Sequence, residues 1–327
     1  MIKVSVYVPE SSVIESVTPP YRVFNSANEF LQSMGKEPLF DVEFVGLTKN
    51  VKVLDGEYTV TVKRLLSVVE ETDLFIIPAL LGDMGRAVAL NKAAIPYIQD
   101  LHKKGTELAS LCLGAFLLGA TGLLDGKKCS THWAYYNEFR CMYKNIEVVD
   151  GTIITDEGSI YSSGGANSIW NLLLYILEKY TNREMAILVA KFFAIDIDRD
   201  SQNAFAIFKG QKAHADEAIK KAQDYIEQNI EGRISISELA DIVVVSRRSF
   251  ERRFKLATNN SVLEYIQRIK IEAAKRSFEK SRKNINEVMY DVGYKDIKAF
   301  RTTFKKVTGL TPNEYRNKYN LMRVLAN

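Results

Sequence analysis

The stretch 284–306, NINEVMYDVGYKDIKAFRTTFKK, decides the fold of the C-terminal third of the chain. Asn284 can cap a short helix, and Gly293 can take the positive φ that a tight turn needs. In the helix that follows, Phe300 and Phe304 lie four residues apart, so both rings share one face. The cationic side chains then lie outside this apolar stripe. The segment therefore predicts a helix, a turn and a second helix with a basic surface.

The same arrangement occurs about fifty residues earlier in the chain. A short amphipathic helix follows Ser235, and Ser246 can cap a second helix in which Phe250 and Phe254 repeat the spacing of the later pair. Residues 262–278 between the repeats predict one long helix that fixes their spacing. We therefore predict an all-α C-terminal domain with two helix-turn-helix units, held so that both can meet successive major grooves of DNA.

The charge is unevenly distributed along the chain. Up to about residue 215 there are 21 Lys and Arg against 25 Asp and Glu, and after it 23 against 15, so the two parts carry about −4 and +8. Such an asymmetry is expected when only one domain approaches a polyanion, because neutralised phosphates release counterions. A solvated basic face without a partner is the alternative that charge alone leaves open.

Residues 218–319 resemble the AraC/XylS family of transcription regulators. The most specific match is Val292-Gly293-Tyr294, followed by the phenylalanine pair and by residues 308–316, TGLTPNEYR. One departure is the first turn, 243–245, where three valines replace the small or glycine-containing turn that is usual in the family. The resemblance implies that these side chains read double-stranded DNA: Ser246, Arg247, Arg248, Arg252, Asp296, Ile297, Lys298 and Arg301.

The first two hundred residues alternate short β-rich runs, such as 2–8, 42–47 and 74–77, with longer helical segments, such as 20–35 and 87–103. This alternation predicts an α/β domain of flavodoxin-like type, in which helices cover a mostly parallel sheet. The working site of such a sheet lies at the carboxyl ends of its strands.

Cys112 ends one of these strands, and the chain turns there directly into a helix. Backbone amides and the helix dipole at such an elbow can lower the pKa of a thiol, which suits a nucleophile. The position equally suits a small buried residue, because free cysteine is among the most buried residue types. Cys129 is expected at the pocket edge, and Cys141 is expected to pack in a helix.

Residues 1–195 resemble the class I glutamine amidotransferase-like, or PfpI-like, fold. Segments 112–116, 122–126, 131–133 and 163–165 are similar to GlxA-type regulators, in which such a domain precedes an AraC-type one. The resemblance implies a ligand pocket formed by Glu15, Cys112, Leu113, His132 and Gly164. PfpI-like hydrolases generally place a histidine after the cysteine or supply one from a triad loop, so with Leu113 there an amide hydrolysis cycle depends on His132 as the base.

The sequence thus predicts three parts: a PfpI-like domain at 1–195, a linker at 196–215 and an AraC-type domain at 216–320. In the linker, Arg199 and Gly210-Gln211 partly match an Arg and Gly-Gly-Gln element of GlxA-like proteins. We expect a regulator that binds a promoter and responds to a small-molecule effector or to homodimerisation. The alternatives are a cysteine-dependent amidase or hydratase-type enzyme that uses Cys112, and a ligand-free N-terminal dimerisation module.

The remaining expectations concern location and cofactors. No apolar run reaches the roughly 18 residues that span a bilayer, which predicts a cytoplasmic protein without a membrane partner. The sequence has no glycine-rich loop that could cradle phosphates and no cysteine spacing typical of a zinc cluster. Neither a cofactor nor a metal is therefore expected, and no residue is assigned a catalytic role.

Overall fold

The computed structural model describes residues 1–197, 201–208, 210–212, 214–232 and 234–320. The chain divides into two compact units, Met1–Gln202 and Asn203–Asn327. The division falls inside the predicted linker, 196–215. Arg199 of that linker lies outside the described residues.

The N-terminal unit is built on parallel strands, as the alternation of β-rich and helical runs predicts. Its strands are β1 (Ile2–Tyr7), β2 (Phe40–Gly46), β3 (Asn50–Val53), β4 (Tyr58–Thr61), β5 (Arg64–Leu65), β6 (Leu74–Ile77), β7 (Glu107–Leu111), β8 (Lys128–Cys129), β9 (Glu147–Val148), β10 (Ile154–Asp156) and β11 (Ile160–Ser163). A seven-stranded sheet has the order β10-β11-β7-β6-β1-β2-β5, and only β10 runs antiparallel to its neighbour. The central strands β1, β6 and β7 therefore place their carboxyl ends side by side.

The helices of this unit cover the sheet: α1 (Ile14–Ser33), α2 (Met84–Leu90), α3 (Ile95–Lys103), α4 (Ala115–Ala120), α5 (Tyr136–Met142), α6 (Ile169–Tyr180) and α7 (Arg183–Phe192). The sequence predicted a helical segment that begins at Pro20, and proline disfavours a helix interior. The helix instead begins at Ile14 and contains Pro19 and Pro20. Both prolines are buried, so packing against the sheet offsets the backbone hydrogen bonds that they cannot donate.

The single helix predicted over 87–103 is wrong, because the chain breaks at Asn91 into α2 and α3. The Asn91 side chain is fully buried and donates to the carbonyls of Ala87 and Glu10, while its oxygen accepts from the Tyr7 hydroxyl at 2.8 Å. Asn91 thus ties this helix pair to the loop that follows β1. A buried carboxamide with all these partners fixes the loop at the carboxyl edge of the sheet.

The C-terminal unit is wholly helical from residue 217 onward in the residues that the structure describes. Its helices are α8 (Glu217–Gln228), α9 (Ile236–Ile242), α10 (Arg247–Thr258), α11 (Val262–Lys280), α12 (Ile285–Asp291), α13 (Ile297–Thr308) and α14 (Pro312–Tyr319). Two apolar cores lie along α11, one against its first half and the other against its second half. The long central helix that the sequence predicted is therefore shared by both repeats.

Within the described ranges, no helix has the length and apolar character that crossing a membrane requires.

Candidate functional site

The two repeats of the C-terminal unit build their second helices in the same way. Ser246 caps α10 by accepting from the Ser249 amide at 3.3 Å, and Asp296 caps α13 by accepting from the Lys298 amide at 2.7 Å. The rings of Phe250 and Phe254 are fully buried in the first core. Phe300 and Phe304 take the same place in the second core. Each helix thus has one anchored face and leaves the opposite face to solvent.

The free faces of α10 and α13 carry most of the cations that the sequence singled out. Arg248 and Arg252 on α10, and Lys298 and Arg301 on α13, are exposed and form no ion pair with a described residue. Arg247 is also exposed, but its Nε donates to the Glu251 carboxylate 3.2 Å away. An exposed i,i+4 pair of this kind contributes only a few tenths of a kcal/mol, about 0.3–0.5, so Arg247 can exchange Glu251 for another anion.

Four other side chains of these two helices have structural contacts. Arg253 forms a bidentate pair with Asp216, the cap of α8, at 2.6 and 2.8 Å. Ile297 is half-buried and packs on the second core, although the resemblance placed it among the readers. Ser246 and Asp296 use their side-chain oxygens as caps. The capping atoms therefore set where each helix begins and which of its side chains point outward.

In the N-terminal unit, the predicted elbow is present at the end of β7. Cys112 has φ 53°, the left-handed region that a non-glycine residue seldom adopts. The chain can turn so sharply because Gly114 lies against the end of β6, where an added Cβ would come within 2.3 Å of the Ile77 carbonyl oxygen. The Cys112 amide donates to Ser163 Oγ at 3.3 Å. The strained backbone is thus held by its neighbours on both sides.

Of the two readings that the sequence left open at Cys112, a nucleophile with a lowered pKa and a small buried residue, the structure agrees with the second. Cys112 is only 4% exposed, and burial raises its pKa to about 12, although the amides of Leu113 and Gly165 act in the opposite direction. Leu113 is itself buried beside the thiol. Cys129 is buried as well, whereas Cys141 is exposed and does not pack as predicted. The Cys112 sulfur is therefore a protonated thiol near neutral pH.

Glu15 and His132, which the sequence placed in the same pocket as the cysteine, form no hydrogen bond with it. Glu15 lies in the first turn of α1, is exposed, and forms no hydrogen bond with a described residue. His132 is half-buried, and this burial lowers its pKa. Its Nδ1 accepts from the Ala134 amide at 3.2 Å, so the ring is held by its own loop. No Cys-Glu-His hydrogen-bond chain exists among the described residues.

Gly164 marks the most tightly packed point of this edge. A Cβ added there would lie 2.1 Å from Gln202 Nε2 and 2.5 Å from Ser130 Oγ. Gln202 is 1% exposed, although it falls in the predicted linker and was given no role there. The sequence did not predict the burial of Gln202, because a polar residue among charged and small residues is typical of a solvent-exposed linker. The only signal available was its uncharged amide in that charged stretch.

Further along the predicted linker, Ala206, Phe208 and Gln211 form hydrogen bonds with side chains of the C-terminal unit. The Phe208 amide donates to Glu272 at 3.2 Å, and Lys275 Nζ donates both to the Ala206 carbonyl, at 2.5 Å, and to Glu272, at 2.8 Å. Glu272 and Lys275 are buried on α11. Gln211, part of the predicted Gly-Gln element, accepts from Asn260 at 3.1 Å. These residues are thus a structured edge of the helical unit.

Comparisons with known proteins match both units. Residues 3–179 match the model of the DJ-1/PfpI family, and residues 239–318 match that of a helix-turn-helix domain. The HTH-type transcriptional regulator ArgR of Pseudomonas aeruginosa is 25% identical over 67% of this chain and 67% of its own length. The regulator GlxA of Rhizobium meliloti is 22% identical over 68% of each chain. The alignments thus span about two thirds of these relatives.

Among solved structures, Drosophila melanogaster DJ-1beta superposes with a TM-score of 0.50 and 18% identity, over 60% of this chain and 98% of its own. At that identity the likeness concerns the fold alone. It agrees with the parallel sheet and flanking helices of the N-terminal unit.

Proposed function

We propose, from the premise that this chain belongs to the DJ-1/PfpI family and carries a C-terminal helix-turn-helix domain, that it is a transcription regulator that binds double-stranded DNA. The observation that carries the proposal is the pair of equivalent helices, α10 and α13, anchored by buried phenylalanines with their cationic faces free. Because α11 packs on both cores, the two helices belong to one body. Such a body suits two successive major grooves.

Four cations that form no ion pair with a described residue are the strongest candidates for contact with DNA. Arg248, Arg252, Lys298 and Arg301 offer donors to base edges or to phosphates without breaking an ion pair within the described ranges. Arg247 can also contact DNA once its hydrogen bond to the Glu251 carboxylate is broken. Ser246 and Asp296 support this surface as caps, because they fix the first turn of each helix, and Ile297 supports it by packing.

We assign effector sensing to the N-terminal unit, because a DJ-1/PfpI domain that is joined to a DNA-binding domain is suited to a sensor role. The candidate pocket is the carboxyl edge around Cys112, Leu113, His132 and Gly164, with Glu15 on the adjoining helix. A ligand controls DNA binding only if it binds one arrangement of the protein more tightly than the other. Homodimerisation and a cytoplasmic location are parts of the same proposal, and light scattering coupled to size-exclusion chromatography tests the former.

Catalysis by Cys112 is not part of the proposal. The thiol is buried and protonated, and His132 is held by Ala134. Alkylation with iodoacetamide at pH 7.5 should label the exposed Cys141 rapidly and Cys112 slowly. Rapid labelling of Cys112 in the native protein would restore the enzyme hypothesis.

Selection of bound sequences from a random DNA pool tests the main proposal. We expect enrichment of two half-sites about one helical turn apart, which is about 10 base pairs. The double variant Arg247→Ala/Arg301→Ala should lose this enrichment and keep its helical circular dichroism. If the intact protein enriched no sequence at low salt, DNA recognition would be rejected.

A further inference from the structure

The side chain of Gln202 fills a polar cage in the N-terminal unit. Its Nε2 donates to the carbonyls of Thr131 and Thr152, at 3.0 and 3.1 Å, and lies 2.7 Å from the Tyr136 hydroxyl. Its Oε1 accepts from the Trp133 amide at 3.2 Å. The cage thus presents three acceptors to the nitrogen and one donor to the oxygen.

This cage adjoins the predicted pocket. Oε1 of Gln202 lies 3.4 Å from the point where a side chain on Gly165 would begin, and the Gly165 amide faces the Cys112 sulfur. Ser168 lies beside Gly165, is fully buried, and its hydroxyl has no hydrogen-bond partner in the described part of the chain. A buried hydroxyl without a partner costs free energy, and a ligand that reached it would recover that cost.

Gln202 also fixes the chain at the point where the first compact unit ends. Its amide donates to the Gly151 carbonyl at 2.8 Å, and the Ser201 hydroxyl donates to the same carbonyl at 3.1 Å. Asn203 begins the second compact unit, so Gln202 is the last residue that the first unit holds. Release of Gln202 would therefore free the end of the first unit from its bonds to Thr131, Thr152 and Trp133.

We propose that the cage is a binding subsite for a ligand with a primary carboxamide, and that Gln202 occupies it when the ligand is absent. Entry of the ligand displaces Gln202 and frees the chain that leads to the helical unit. The inference deepens the proposed function, on which its regulatory half rests.

The hydrogen-bond pattern selects this chemical class. A primary carboxamide offers two N–H donors, which the three oxygens around the nitrogen share, and one acceptor for the Trp133 amide, as Gln202 does. A carboxylate would set a second oxygen against the carbonyls of Thr131 and Thr152, and an alkyl group would leave the Thr131 carbonyl and the Trp133 amide without the bonds that Gln202 makes to them. Because a tethered side chain competes at an effective concentration in the millimolar range, the natural ligand must make further contacts, and the Ser168 hydroxyl is one that it can use.

Chemical rescue of an emptied cage tests the subsite. We would titrate the full-length Gln202→Ala variant with propionamide and follow tryptophan fluorescence, because Trp133 borders the cage. We expect saturable binding and a rise in the Tm of this variant, with at least tenfold weaker binding to the unaltered protein. Gln99→Ala is the matched control, since Gln99 donates to one carbonyl at a surface site of the same unit. Propionate should have no effect on any of the three proteins.

An equal response to propionate, or no response from a Gln202→Ala protein with intact circular dichroism, would overturn the subsite. The regulatory half is measured separately, as the affinity for the selected DNA. Gln202→Ala should change this Kd at least threefold relative to Gln99→Ala, and propionamide should move it back. An unchanged Kd would overturn the regulatory half. If none of the three proteins bound DNA, the proposed function would be rejected. The fluorescence titration would still decide whether the cage binds a carboxamide.

Discussion

The two helix-turn-helix repeats share one backbone and differ in the residues that hold it. In the first turn, the Val245 amide donates to the Ala240 carbonyl and the Val244 amide to that of Asp241. In the second, Tyr294 and Gly293 make the same two bonds to Met289 and Tyr290. Both are Schellman turns, which require a left-handed residue, and the φ values are 56° at Val244 and 71° at Gly293.

The surroundings explain why one turn contains valine and the other glycine. Val244 is 88% exposed, so its branched side chain meets solvent and only the backbone is strained. A Cβ on Gly293 would lie 2.5 Å from the Glu231 carbonyl oxygen and 2.7 Å from Lys270 Nζ. The hydrogen bonds of the turn thus require the left-handed conformation at this position. The neighbouring atoms then determine whether the residue there can have a side chain.

Gly293→Val should have the largest effect. The clash with the Glu231 backbone adds to the strain at positive φ, and we expect a loss of about 3 kcal/mol or more in the free energy of unfolding. Urea unfolding followed by circular dichroism at 222 nm measures this loss. Both tryptophans, Trp133 and Trp170, belong to the N-terminal unit, so an unchanged fluorescence transition is the internal control. A loss below 1 kcal/mol in the free energy of unfolding would contradict the prediction, because it would show that the turn accommodates a valine side chain at position 293.

The second difference lies on the outward faces. In the alignment that pairs Phe250 with Phe300, the position of Arg301 is taken by Glu251. Arg301→Ala should weaken binding to the selected DNA by about 1–3 kcal/mol if the guanidinium contacts a base. Glu251→Gln should strengthen binding by less than about 1 kcal/mol, because a carboxylate near the phosphates is removed.

Fluorescence anisotropy at several salt concentrations compares these variants, with the exposed Lys92→Ala of the N-terminal unit as the control. Equal effects of Arg301→Ala and Lys92→Ala would remove α13 from the interface. Weaker binding by Glu251→Gln would mean that Glu251 orients Arg247 for DNA.

Val244→Gly should raise the free energy of unfolding by about 1 kcal/mol, because a strained conformation becomes an ordinary one. The circular dichroism transition measures the gain. Val243→Gly provides the comparison, since Val243 has φ −100° and would lose stability. A destabilised Val244→Gly protein would show that the exposed valine has a packing role.

The smallest effect is expected where both repeats end their second helix. Asn259 and Gly309 are left-handed C-caps with φ 55° and 77°. Nothing lies within 4 Å of a Cβ built on Gly309, so Gly309→Ala should cost only the backbone strain, about 1 kcal/mol. Asn259→Gly should change stability by a few tenths of a kcal/mol, because asparagine tolerates this conformation. If Gly309→Ala lowered the free energy of unfolding as much as Gly293→Val does, the space around each glycine would not explain the difference between the two turns.

The repeats were predictable because their signals are local. Ser246 and Asn284 begin helices through amides two or three residues away, and the phenylalanine pairs lie four residues apart. The parallel sheet was predictable for a similar reason, since its buried strands are short apolar runs between helical segments.

The break at Asn91 and the burial of Gln202 could not be predicted in this way. Asn91 bonds Tyr7, 84 residues earlier, and Gln202 bonds Thr131, 71 residues earlier. Such contacts exist only after the sheet has assembled. The choice between the two readings of Cys112 also depended on tertiary contacts, because the local elbow allows a lowered pKa and burial in the folded domain raises it.

The sharing of α11 by two cores has a consequence for how the helical unit comes apart. Its first half is covered by one repeat and its second half by the other, so melting of either repeat uncovers part of the same helix. The amides near the middle of α11 should then exchange with deuterium only when the whole unit opens. The two helices proposed to contact DNA would therefore form and unfold together, so that the protein offers a promoter both of them or neither.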